Sequence, residues 1–217
     1  MIRVYKETFS EHQAYRYRVT DEADQTLYLA EPTGLFLPNP TREITLWGPN
    51  REPLGRVEPP GPSHWPWGGE YRVILEDREN PLAMVTEQWE LVDLLLLRLP
   101  RYLFQWEGSP YIARGNRFGE QFYEIFLCTP ETGEEAEAVT GTGTVRLADL
   151  DVAALEKAAE REKHRWGEPV GAIRRPSRGP HYEAEVWASP LRDASLLLAV
   201  LVVLADLHLQ EQEGPAT

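Results

Sequence analysis

The chain is poor in several things, and each shortage excludes something. It has one cysteine, Cys128, in 217 residues. An internal disulfide cannot form, and a reducing cytoplasm is the expected compartment. Positive charge is scarce: 22 Lys and Arg stand against 35 Asp and Glu, a formal net charge of −13. Phosphate contact needs Lys and Arg, so nucleic acid is not an expected partner. An anionic membrane surface attracts such a chain only where its bases cluster. The opening MIRVYKETFSEHQAYRYRV lacks an apolar core of signal-peptide length, which argues against secretion.

Catalytic signatures are missing too. His12, His64, His164, His181 and His208 show no metal-ligand spacing. There is no G-x-x-x-x-G-K phosphate loop and no G-x-S-x-G elbow. Cys128 has no base beside it in sequence and reads as a small buried residue. The reading is non-enzymatic: no catalytic residue, metal or cofactor is expected. Triads need no sequence proximity, so a hydrolase with its site at a barrel mouth stays open as an alternative.

What is present is a series of hairpins. Tyr15–Glu31 is two alternating runs around DEADQ. Glu43–Pro59 repeats the plan around GPNREP, Glu70–Trp89 around EDRENP, and Arg101–Gly115 around EGSP. β-branched and aromatic runs broken by Asn, Asp, Gly and Pro are the sequence form of a meander. Gln121–Leu127 alternates again, and His181–Trp187 is a further strand. Val92–Pro100 is a short apolar run that fits a buried strand or a helical piece. The period changes at Asp151–Trp166, where Val152, Leu155, Ala159 and Trp166 share one side of a charged, Ala-rich segment. That pattern predicts a surface helix over 152–166, capped by Asp151.

One long hydrophobic run exists, near the end, in DASLLLAVLVVLADLHLQ. From Leu196 to Ala205 all ten residues are apolar. A spanning helix wants about 20 mostly apolar residues. Here Arg192 and Asp193 precede the run and Asp206 and His208 follow it. An Asp inside a span costs about 2.5–3.5 kcal/mol. A membrane span is therefore not expected. Leu196, Leu197, Leu198, Val200, Leu201, Val202, Val203 and Leu204 cover the full circumference, so the helix is apolar all round and must be buried all round. Burying these eight side chains offers roughly 12–24 kcal/mol as an upper bound. A closed sheet surrounds a helix on every side. The chain therefore predicts one mainly β domain over 1–217: a closed antiparallel barrel of about 12 strands around a helix at about 190–209, begun by Ser189-Pro190, with the surface helix outside.

A meander closed around one C-terminal hydrophobic helix resembles the tubby C-terminal-like superfamily, in its phospholipid scramblase and LURP-one-related branches. The tail SPLRDASLLLAVLVVLADLHLQ is similar to the scramblase ending: Pro190-Leu191, Asp193 near the helix start, an apolar run, then Asp206. GNRFGEQFYEIF, Gly115–Phe126, is similar to a strand-turn-strand piece of the same branches. The resemblance implies a binding protein that takes an anionic lipid head group through basic residues, or a protein partner. It does not carry over scramblase activity. The segment before the final helix lacks an oxygen-rich calcium loop, and Cys128 alone makes no acylation cluster.

Candidate ligand residues follow. Arg72, Arg101, Arg114 and Arg117 form a head-group site if their strands adjoin, since guanidinium forks suit phosphate. Arg174, Arg175 and Arg178 are the densest basic cluster. Asp206 and His208 sit where the helix leaves the barrel and line a pocket if its mouth is open. Trp65 and Trp67 offer a platform or pack over a barrel end. The remaining alternative is a scaffold without a small ligand, using the 151–166 helix.

Overall fold

The computed structural model describes residues 1–9, 14–33, 43–61, 69–89, 99–115, 121–128, 168–175, 181–187 and 189–213. The expected surface helix at 152–166, the Trp65–Trp67 loop and most of Val92–Pro100 lie outside them.

Twelve strands close into one antiparallel barrel. The four predicted hairpins are β2–β3 (Ala14–Thr20, Thr26–Pro32), β4–β5 (Ile44–Trp47, Pro53–Glu58), β6–β7 (Glu70–Leu75, Ala83–Gln88) and β8–β9 (Arg101–Trp106, Ser109–Gly115). Turn chemistry fixes each register. Asp21 Oδ1 accepts from the backbone of Ala23 and Gln25 at 2.9 and 2.8 Å, an Asx-type turn. Glu107 and Gly108 both have positive φ, 49° and 78°, and link Trp106 to its partner Ser109. That is the mirror-image turn whose twist suits a hairpin.

The ring is completed by β1 (Ile2–Phe9), β10 (Gln121–Leu127), β11 (Gly171–Arg174) and β12 (His181–Val186). Two of these differ from the sequence expectation. The stretch around GAIR is in none of the expected strands, yet it pairs with β10 and β12 as β11. The first residues carry no strand assignment, yet β1 is the closing strand, held between β12 and β2. Closure leaves no free sheet edge in the ring.

The helix, α1, runs Ser195–Glu213. Ser189–Asp193 forms a 3-10 turn ahead of it rather than its first turn. Every residue from Leu196 to Leu209 is buried. Inward-facing strand residues such as Val4, Val19, Ile44, Val57, Val73 and Val85 belong to the same apolar cluster as the helix. The core is therefore the space between one helix and the sheet that surrounds it. No described helix is long and apolar enough to cross a membrane.

Candidate functional site

The barrel interior is not uniformly apolar. At the end where α1 finishes, polar side chains replace aliphatic ones. Asp206 is 3% exposed and faces the seam where the first and last strands meet. Tyr17 on β2 donates its hydroxyl to Asp206 Oδ2 at 2.6 Å. Tyr182 on β12 donates to Oδ1. Lys6 on β1 places Nζ 2.9 Å from Oδ2. Gln210, one helical turn on, donates to Oδ2 at 2.5 Å and to the Tyr17 hydroxyl at 3.1 Å. Strand register brings these groups together: Lys6 pairs with Tyr17, and Val4 with Tyr182.

Four donors use up the hydrogen-bonding capacity of one carboxylate. Asp206 is thus tied to three adjacent strands and to its own helix. Burial first, and then the neighbouring Asp206 carboxylate, push the Tyr17 hydroxyl well above the usual tyrosine range. Tyr17 is therefore a donor held in its neutral form.

A second polar group lies on β7. Glu87 is buried at 6% exposure on the inward parity of Ala83 and Val85. It accepts from the Tyr71 hydroxyl at 3.1 Å and the Trp89 indole at 3.0 Å. His208, buried on α1, packs its ring on Trp89, with centroids 5.0 Å apart. Asp206 and His208 are two residues apart on a helix, so they point to opposite sides. They share a barrel end but not a pocket.

The arginines divide by location. Arg72 lies exposed on the outer face of β6, its Nε 3.4 Å from Glu70. Tyr102 pairs with Ala113, so the next positions, Arg101 and Arg114, stand side by side on the outer face. Arg101 is only 2% exposed. Strand spacing and register put Arg72 roughly 16 Å from Arg101, so it does not join that pair. Arg117 and Arg178 lie outside the described residues. Arg174 and Arg175 end β11, both exposed. Arg174 Nη2 is 3.7 Å from Glu185. Arg175 holds its guanidinium 6.0 Å from the centre of the Tyr182 ring and makes no ion pair among the described residues.

Most other described arginines face a carboxylate: Arg3 with Glu183, Arg16 with Glu31, Arg18 with Glu7, Arg56 with Glu58. Near Asp206 the arrangement differs: Lys6 holds the carboxylate, while Arg175 lies over the Tyr182 ring with no carboxylate of its own among the described residues.

Asp206 and His208 are residues the sequence singles out. Lys6, Tyr17, Tyr182, Gln210, Glu87 and Trp89 are not. The available signal was parity: Lys6 falls on the inward parity of Ile2 and Val4, and Glu87 on that of Ala83 and Val85. A polar residue in an apolar parity marks a buried polar site. Among the described residues, no group of His, Cys, Asp and Glu is arranged to hold a metal ion. Burial pushes the Cys128 thiol up, which disfavours the nucleophilic thiolate.

Searches against protein-family models, curated proteins and solved structures found no match.

Proposed function

We propose that the protein is a non-enzymatic binding barrel of the tubby, scramblase and LURP-one kind, and that it takes the phosphate of an anionic lipid head group at the barrel end where α1 finishes. The observation that carries this reading is the charge count there. Lys6 and Arg175 stand around the Tyr182–Asp206 pair, giving two cations to one carboxylate. Arg174 follows on the same strand end, exposed. Elsewhere Arg3, Arg18, Arg56 and Arg72 each face a carboxylate, and Arg16 and Arg51 share Glu31. A locally unmatched guanidinium is what a phosphate needs.

Vesicle flotation tests the reading. Phosphatidylcholine vesicles with and without phosphatidylserine or a phosphoinositide are compared for the wild type and Arg174→Ala/Arg175→Ala. At about 1 kcal/mol per basic residue near an anionic surface, the double variant should bind about thirtyfold more weakly. Arg72→Ala, on the outer face of β6, should bind as the wild type does. Failure of the wild type to bind any anionic vesicle would end the proposal, as would an unchanged double variant.

A further inference from the structure

The negative charge of the chain is not spread evenly over the barrel. The turns of the four hairpins β2–β3, β4–β5, β6–β7 and β8–β9 all lie at one end, because each joins antiparallel neighbours in a continuous meander. Tyr28 on β3 shows which end: its hydroxyl lies 3.0 Å from Oγ of Ser195, the first residue of α1. These turns carry Asp21, Glu22, Asp24, Glu52, Glu76, Asp77, Glu79 and Glu107 against Arg51 and Arg78. Four short turns thus hold a net charge of −6 out of the chain's −13. All of these carboxylates except that of Asp21 are exposed. Glu22 pairs with the Met1 amino group and Asp24 with Arg18. The other six make no ion pair among the described residues. Arg51 does not offset its own turn, since it reaches Glu31 on β3 at 3.6 Å.

The opposite end, where α1 finishes, carries Lys6, Arg174 and Arg175. The height of the barrel separates the two ends. β6 and β7 have six residues each, which gives about 15–20 Å once strand tilt is allowed for. Exposed charges are screened over about 8 Å at physiological salt. A charged surface therefore meets one end at a time. A negative surface approaching the four turns is repelled by them, whereas at the other end their field is largely screened.

We propose that the barrel docks end-on to an anionic membrane, with the end where α1 finishes against the lipid and the four acidic turns held in solution, and that this charge polarity sets the orientation. The orientation rests on the lipid-phosphate reading and adds to it which way the barrel faces.

Two single-cysteine proteins test it, both made on a Cys128→Ala background. Gly61→Cys places a fluorescent dye just after β5, at the end where α1 finishes, and Asn80→Cys places it in the β6–β7 turn. Both positions are exposed, and both labelled proteins should float with vesicles as the unlabelled wild type does. On phosphatidylcholine vesicles containing phosphatidylserine, quenching by acrylamide should fall for the dye at Gly61 and stay at its solution value at Asn80. With a cationic lipid in place of phosphatidylserine the pattern should invert, because the acidic turns then face an attracting surface. Equal protection at both positions on anionic vesicles, or greater protection at Asn80, overturns the proposal. A pattern that does not invert on the cationic vesicles overturns it as well. If the protein floats with anionic vesicles and the dyes disagree with this order, the orientation alone fails; if it does not float, the lipid-phosphate reading fails and the orientation with it.

Discussion

The hydroxyl of Tyr17 reaches Asp206 across 189 positions of sequence and closes to 2.6 Å. With Tyr182 and Lys6 it makes one carboxylate the meeting point of β2, β12 and β1. Those are the three strands at the seam of the barrel. The same tie fixes how far α1 is inserted and which way it is turned, since a rotation or slide would separate Tyr17, Tyr182 and Lys6 from Asp206 together.

Removing that carboxylate should be costly. Asp206→Ala leaves Lys6 and two tyrosine hydroxyls without their acceptor. Breaking a buried ion pair on one side costs about 3–5 kcal/mol, a large part of a typical total of about 5–15 kcal/mol. Asp206→Asn keeps an acceptor oxygen and should lose less. Urea unfolding measures both; a loss below about 1 kcal/mol for the alanine variant would mean that the cluster does not hold the seam.

Tyr17 predicts an alkaline dependence. Its folded pKa is raised by burial and by Asp206. Above the unfolded value of about 10 the unfolded chain releases this proton while the folded chain keeps it. The stability due to Tyr17 is therefore complete below about pH 10 and is lost as pH rises through the folded pKa. Tyr17→Phe should be less stable at neutral pH and show a shallower decline above about pH 10. Equal slopes for the two proteins in urea unfolding would contradict this.

The helix centre tolerates no charge. Leu201 is 1% exposed and meets apolar side chains. Leu201→Asp buries a carboxylate with no partner, which costs more than the whole fold supplies. The variant should show no cooperative thermal transition. Leu201→Ala, which only opens a cavity, should fold and lose about 2–5 kcal/mol.

Gly55 marks a close approach of two strands. A Cβ there would lie 2.1 Å from the carbonyl oxygen of Ile74, and the offending atom is backbone. Gly55→Ala should lose about 1–3 kcal/mol, the usual cost of overpacking. Gly61→Ala, with no atom within 4 Å of the added carbon, is the control and should change little.

The fold was more legible than the site, for physical reasons. Hairpins announce themselves locally, through alternation and turn residues a few positions apart. The helix did so through an apolar surface too wide for one stripe. β11 has four residues, Gly171–Arg174, too few for a period to register. β1 is interrupted by Arg3, Tyr5 and Glu7 on its outer parity and by Lys6 on its inner one, which hides its apolar character. Asp206 stood out by ending the apolar run. Its partners come from three strands far away in sequence, and only register makes them neighbours. Arg72 illustrates the converse. Its partner Glu70 is two residues away on the same strand face, so the pairing was readable from sequence.

The helix that forms the core is also the last described element. While the chain is being made, all twelve strands are synthesised before the helix that they surround. At about 5–20 residues per second, that interval is roughly 10–40 s. During it, inward-facing valines, isoleucines and tyrosines have only each other or a chaperone to contact. A chain halted before residue 195 should therefore aggregate rather than wait half-formed.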